Sequence, residues 1–321
     1  GTPFISQYLS QTAPNGRLTW SDVPEPSVKD NEVLIDIRAA GCNRADILQR
    51  SGKYPSPDGW PEWMGLECAG VVSQSNSPQY KIGDKVCALL GGGGYAERAA
   101  VDAGLVMPIP ERLNFAEAAG IPEVFATAYL NLVFEAGIKR GDVVLIVAGA
   151  SGLGSAAIQL AKLYGAKVIT TVSSNEKADA VKSLGADIVV NRKTESLAAV
   201  LDEYPPDIAL DCAVGSGFAA NIQRMNNGGR YIIVSTLAGE ESNINLRTLM
   251  KKGLRVIGST LRSRTPETKY RVLREMSDDL WAAFESGKIK PVIDHVLPIT
   301  EAEEAHRLLD KAHIGKVILT V

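Results

Sequence analysis

The sequence predicts an α/β protein made of a β-rich part and a doubly wound parallel sheet, and three observations carry that prediction. The first third of the chain consists of short alternating apolar and polar runs separated by turn residues. From about Pro122 the texture changes, and β-branched runs (VVLIV, KVITTV, DIVV, DIALDC, RYIIVS and RVIGST) alternate with helical patterns or long crossovers. Between the first two of these runs, VAGASGLGSAA (residues 147–157) sets Gly149, Gly152 and Gly154 at a strand-to-helix turn.

Taken in order, EVLIDIRAAG (residues 32–41) alternates apolar and charged residues as a half-buried strand does. A short helix over 44–51 follows, entered through Asn43 and left through Gly52, and GVVSQS and DKVCALL are the next strands. The GGGG run at 91–94 is read as a turn between strands. YAERAAV follows it as a strand, so no helix N-terminus is there to receive a phosphate. GDVVLIV (141–147) is a continuous apolar run suited to a buried parallel strand. In GLGSAAIQLAKLY, Leu153, Ala156, Ala157, Leu160 and Leu163 recur at helical spacing. A helical pattern over 266–286 precedes a βαβ-like tail ending in IGKVILTV, which is expected to return to the first domain. The expected division is a β-rich substrate domain over 1–121 and 265–321, with the doubly wound domain over 122–264.

Composition narrows the function. A formal charge of -3 gives no electrostatic reason to expect nucleic-acid binding, and no apolar run reaches membrane-spanning length. The four cysteines, Cys42, Cys68, Cys87 and Cys212, form no CxxC pair, and His295, His306 and His313 form no HExxH. They are read as reduced thiols and as surface or packing histidines, with no Ser-His-Asp constellation. GTPFISQYLS (residues 1–10) has no charged segment followed by an apolar stretch, and with the thiols this sets a cytoplasmic expectation.

GCNRADILQRSGKYP, GLECAGVV, GDKVCALLGGGGYAE, IPEVFATAY, AGASGLGSAAIQLAK, LRSR and IGKVIL, in this order, resemble the quinone oxidoreductases of the medium-chain dehydrogenase/reductase superfamily. They are most similar to the zeta-crystallin-like, p53-inducible branch. The resemblance implies a GroES-like domain, a Rossmann domain and association through the cofactor domains as a homodimer. RVIGST, as the last strand of the sheet, supplies an open edge for that pairing.

The zinc alcohol dehydrogenases of the same superfamily differ at checkable positions. Asn43 stands where they carry their first catalytic zinc ligand, Leu66 stands where they carry the histidine of Gly-His-Glu, and their structural-zinc cysteines are absent. No metal is therefore expected. Hydride transfer without a metal suits a quinone or a conjugated enone better than an alcohol, with an alkenal or enoyl reductase, or a dinucleotide-binding protein of little turnover, as alternatives.

Individual residues carry two readings each. Asn43 and Asp46 form a capping-box-like pair, and the resemblance also brings the asparagine and Tyr54 of the Gly-x-Tyr-Pro segment to the nicotinamide and the substrate. No dedicated general acid is legible. Thr127 is a helix-surface threonine or, by resemblance, a neighbour of the nicotinamide. Gly149, Gly152, Leu153 and Gly154 shape the turn whose helix start meets the pyrophosphate, and Ser151 replaces the usual second glycine with a hydroxyl that can donate to a phosphate. Arg262 and Arg264 of LRSR either reach the cofactor or cap a dimer edge. The cofactor is expected to be NADPH, because KVITTV ends in Ser173 and Ser174 where an NAD site places an acid. Lys177, which matches the family's phosphate-contacting lysine, and Arg192 are available to a 2′-phosphate unless both are solvated surface cations.

Overall fold

The computed structural model describes residues 4–9 and 18–321, so the N-terminal stretch read above lies in part outside the described residues. The chain divides into two compact units, Gly1–Ala126 with Arg264–Val321, and Thr127–Ser263.

The first unit contains the strands β1 (Phe4–Leu9), β2 (Leu18–Val23), β3 (Glu32–Gly41), β4 (Glu67–Ser75), β5 (Lys85–Leu89), β6 (Arg98–Asp102) and β7 (Val106–Pro108). Helix α1 (Arg44–Arg50) lies between β3 and β4, α2 (Phe115–Ala118) follows β7, and α3 (Pro122–Tyr129) begins in the first unit and ends in the second. The second unit runs β8 (Val143–Ile146), α4 (Gly152–Leu163), β9 (Lys167–Val172), α5 (Asn175–Ser183), β10 (Ile188–Asn191) and α6 (Leu197–Glu203). It continues through β11 (Ile208–Asp211), α7 (Gly215–Ile222), β12 (Arg230–Ile233), α8 (Leu246–Lys252) and β13 (Arg255–Gly258). The chain then returns to the first unit as α9 (Pro266–Ser286), β14 (Ile293–Pro298), α10 (Ala302–Asp310) and β15 (Lys316–Thr320).

The six expected parallel strands are present in the order β10-β9-β8-β11-β12-β13 among the described residues. The chain leaves β8 in one direction and reaches β11, on its other side, after β10, so the carboxyl ends of β8 and β11 flank the point where a doubly wound sheet binds its ligand. Beneath them Leu145, Ile169, Ala209, Phe218, Ile222 and Tyr231 form one apolar cluster.

In the first unit the order is β14-β15-β3-β4-β5-β7, with β6 also pairing β3. The tail returns as expected: β15 runs antiparallel to β3, with Ile318 opposite Gly41, and the Cys42 N–H donates to Val317 O at 2.9 Å. That register sets Lys316 beside the start of α1. The helix expected over 266–286 has those bounds. Thr265 caps it by accepting from Thr268 N, Pro266 opens it, and Gly287 in the left-handed region closes it. The GGGG run joins β5 to β6 with no helix after it, as read.

Candidate active site

In the second unit the glycine turn is built by close approach. A Cβ on Gly149 would lie 2.1 Å from Thr170 Oγ1 of β9, and one on Gly154 would lie 2.3 Å from Ala148 O. Only glycine lets α4 start this near the end of β8. The Ser151 hydroxyl caps the helix, accepting from Gly154 N at 3.0 Å and donating to Ala148 O at 2.7 Å. Its proton is thus directed at the turn, whereas the sequence reading aimed it at a phosphate. The Gly152 and Leu153 N–H groups, in the first turn of α4, have no intrahelical acceptor, which is the donor set an anionic pyrophosphate requires.

Beyond β9, Ser174 caps α5 and Lys177 Nζ reaches Ser173 Oγ at 3.2 Å. The Arg192 N–H donates to Val172 O at 2.9 Å, so Arg192 follows β10 beside the residue that precedes Ser173, with its side chain exposed. Two hydroxyls and two cations therefore flank the end of β9, where no carboxylate stands. Glu176 is exposed in the first turn of α5, as the helix dipole favours. The donors and the cradle fit a dinucleotide. At the end of β11, Val214 is held at φ 46°, with its N–H and that of Ala213 donating to Asp211 Oδ1 and the Tyr231 hydroxyl donating to Asp211 Oδ2 at 2.5 Å. Nothing local in the sequence announces this strained turn.

In the first unit the expected catalytic residues sit on a buried polar chain. The Asn43 backbone N–H donates to Asp46 Oδ2 at 2.9 Å, the local half of a capping box. Its side chain turns elsewhere: Nδ2 donates to Glu67 Oε2 and Oδ1 accepts from Lys316 Nζ, both at 2.7 Å. Lys316 Nζ also donates to Glu67 Oε2 at 2.7 Å and Cys42 O at 2.9 Å. Its three ammonium protons are thus matched by three acceptors. Both Lys316 and Glu67 are buried, and the second Glu67 oxygen accepts from Glu123 N at 3.2 Å. Glu123, partly buried in the first turn of α3, has its carboxyl pushed up to about 8 by burial and by the Glu67 charge.

Asp46 is fully buried, and its Oδ1 has no hydrogen-bond partner among the described residues. Burial pushes its carboxyl up to about 6 against the bonds from Tyr95 and Asn43. The Tyr95 hydroxyl donates to Asp46 Oδ2 at 2.7 Å and lies 3.0 Å from His306 Nε2, while His306 Nδ1 faces Arg50 at 3.1 Å. Arg50 can only donate, so Nδ1 accepts and Nε2–H donates to the tyrosine oxygen. Burial and the Arg50 charge push the imidazole down to about 4, which keeps it neutral. Arg50 then pairs with both oxygens of Glu303, at 2.8 and 3.0 Å. This chain pins α1 to α10 and holds the Asn43 backbone through Asp46.

Tyr54 lies partly buried in the loop after α1, and Thr127 lies partly buried on α3. Arg264 is partly buried just before α9. Of the histidines, His295 and His313 are exposed or nearly so, and His306 is the buried, hydrogen-bonded one. Among the described residues no group of three or more His, Cys, Asp or Glu side chains is placed to hold a metal, and no helix is long and apolar enough to cross a membrane. Sequence reasoning missed Glu67, Tyr95, Glu123, Lys316 and the Arg50–His306 contact. The signal available was two acids and a lysine inside otherwise apolar motifs.

A family model described as "Alcohol dehydrogenase GroES-like domain" matches residues 29–111, and one described as "Zinc-binding dehydrogenase" matches 152–278. The chain is 33% identical to a quinone oxidoreductase of Sus scrofa, over 93% of this chain and 92% of that protein. The quinone oxidoreductase of Thermus thermophilus, solved also as its complex with NADPH, superposes with a TM-score of 0.84 at 31% identity over 99% of each chain. The CurK enoyl reductase superposes with a TM-score of 0.85 at 26% identity, again over 99% of each. With matches to both domains and near-complete coverage above 30% identity, the chain belongs to the quinone oxidoreductase family of the medium-chain dehydrogenase/reductase superfamily.

Proposed function

We propose that the protein is an NADPH-dependent reductase of quinones that works without a metal. The observation that carries this reading is the end of β9, where Ser173, Ser174, Lys177 and Arg192 offer hydroxyls and positive charge and no acid competes for a ribose diol. The bound dinucleotide supplies hydride. The α4 N-terminus holds its pyrophosphate, with Gly149 and Gly154 permitting the approach, and the lysine and arginine balance the 2′-phosphate. Leu66, in place of a histidine ligand, offers no lone pair, so the acceptor must already be electron-poor. Asn43, fixed by Glu67 and Lys316, and Tyr54 orient the acceptor carbonyl and stabilise the charge that grows on its oxygen.

The second reading, reduction of an activated alkene, draws on the likeness to an enoyl reductase. The two separate by acceptor: with NADPH, an ortho-quinone is expected to be reduced at a higher kcat/KM than an alkenal. The reverse order assigns the alkene activity, and inactivity on both removes the reductase reading.

We further propose a homodimer formed at the β13 edge. That strand pairs only with β12 among the described strands and leaves Val256 40% exposed. Sedimentation at micromolar concentration is expected to give twice the 34.2 kDa chain mass, and a monomer contradicts it.

A further inference from the structure

Hydride addition leaves the acceptor oxygen one proton short, and among the residues expected at the site from the sequence only the Tyr54 phenol, partly buried, holds a proton at neutral pH that it could give. Asp46 is sealed beneath Asn43 and Tyr95. The structure offers another group. On α3, Val124, Phe125, Ala126, Ala128 and Tyr129 are buried, and Glu123 and Thr127 are not. One turn apart, these two half-buried residues lie on the same side of that helix. The Glu123 backbone N–H rests on the carboxylate that fixes the Asn43 amide, so this acid is tied to one expected site residue by a hydrogen bond and to another by the helix.

We propose that Glu123 is the proton donor of the reduction, an inference that rests on the reductase reading above. As the acceptor receives hydride and its electron pair, the Glu123 O–H bond breaks and a new O–H bond forms on the acceptor oxygen. The carboxylate keeps the bonding pair and regains its proton from water. The groups around Glu123 determine whether it holds that proton. Glu67 from β4 and Asp46 from α1 raise its proton affinity, Lys316 from β15 and Lys269 from α9 lower it, and burial outweighs them all, leaving it near 8. It is therefore mostly protonated at pH 7 and emptied as pH rises through about 8.

Two measurements test the assignment. In the protein without cofactor, carbon-13 NMR of labelled glutamate carboxyls is expected to show one group titrating near pH 8 that is missing in the isosteric Glu123→Gln. In NADPH-dependent quinone reduction, the parent kcat is expected to fall above about pH 8. The variant is expected to be about 10²-fold slower at pH 7, with no alkaline limb and an unchanged NADPH dissociation constant. A Glu123 carboxyl that titrates near 4, or an alkaline limb that persists in the variant of an active enzyme, overturns the donor role alone. A parent that reduces neither quinone nor activated alkene overturns the reductase reading, and the donor role with it.

Discussion

Replacing Lys316 with methionine is expected to destabilise the protein by about 3 to 5 kcal/mol, the usual cost of removing one partner of a buried ion pair. Lys316 is 3% exposed and Glu67 fully buried, so the glutamate left behind can neither reach water nor find another cation. Asn43 Oδ1 and Cys42 O lose their donor in the same step, each at the desolvation cost of an orphaned acceptor. A shift of the urea unfolding midpoint measures the loss. The double variant Lys316→Met/Glu67→Gln should recover part of it, because the stranded charge is then gone. A loss below about 1 kcal/mol contradicts the picture of a closed Asn43–Glu67–Lys316 triad.

Lys177→Ala is expected to raise the Michaelis constant for NADPH on the order of tenfold, with little change for NADH. A charge-assisted hydrogen bond to a phosphate contributes roughly 1.5 to 3 kcal/mol, and every 1.4 kcal/mol is about tenfold in affinity. The ammonium is already turned toward Ser173 at the end of β9, so little side-chain entropy remains to be lost on binding. Arg192 is exposed, and screening should make Arg192→Ala the weaker of the two variants. Steady-state constants for both cofactors in parent and variant check this, and an unchanged NADPH constant contradicts the placement of the phosphate.

Much of the fold was legible because its signals are local. Each of the β8–β13 runs carries its own β-branched pattern, and α9 announces both ends through Thr265, Pro266 and Gly287. The glycine turn was legible for the same reason. The polar chain was not, because its partners are joined only by folding: Asn43 meets Lys316 across 273 residues, and Tyr95 meets His306 across 211. Asn43 shows how a correct local reading falls short. Its backbone does what the Asn-x-x-Asp pattern implies, and its side chain is claimed by a strand from the far end of the chain. At Ser151 the fold adds a local role that the motif did not show, since its hydroxyl caps α4 and bonds to Ala148 O. The raised proton affinity of Glu123 comes first from burial and then from the Glu67 and Asp46 charges, set against Lys316 and Lys269, and four different elements bring these groups together.

Whether this chain uses NADPH to reduce quinones is decided by steady-state oxidation of NADPH and of NADH by the purified protein with 9,10-phenanthrenequinone. Turnover with NADPH is expected at a Michaelis constant at least about tenfold below that for NADH. Equal use of the two cofactors, or no turnover with either, would contradict it.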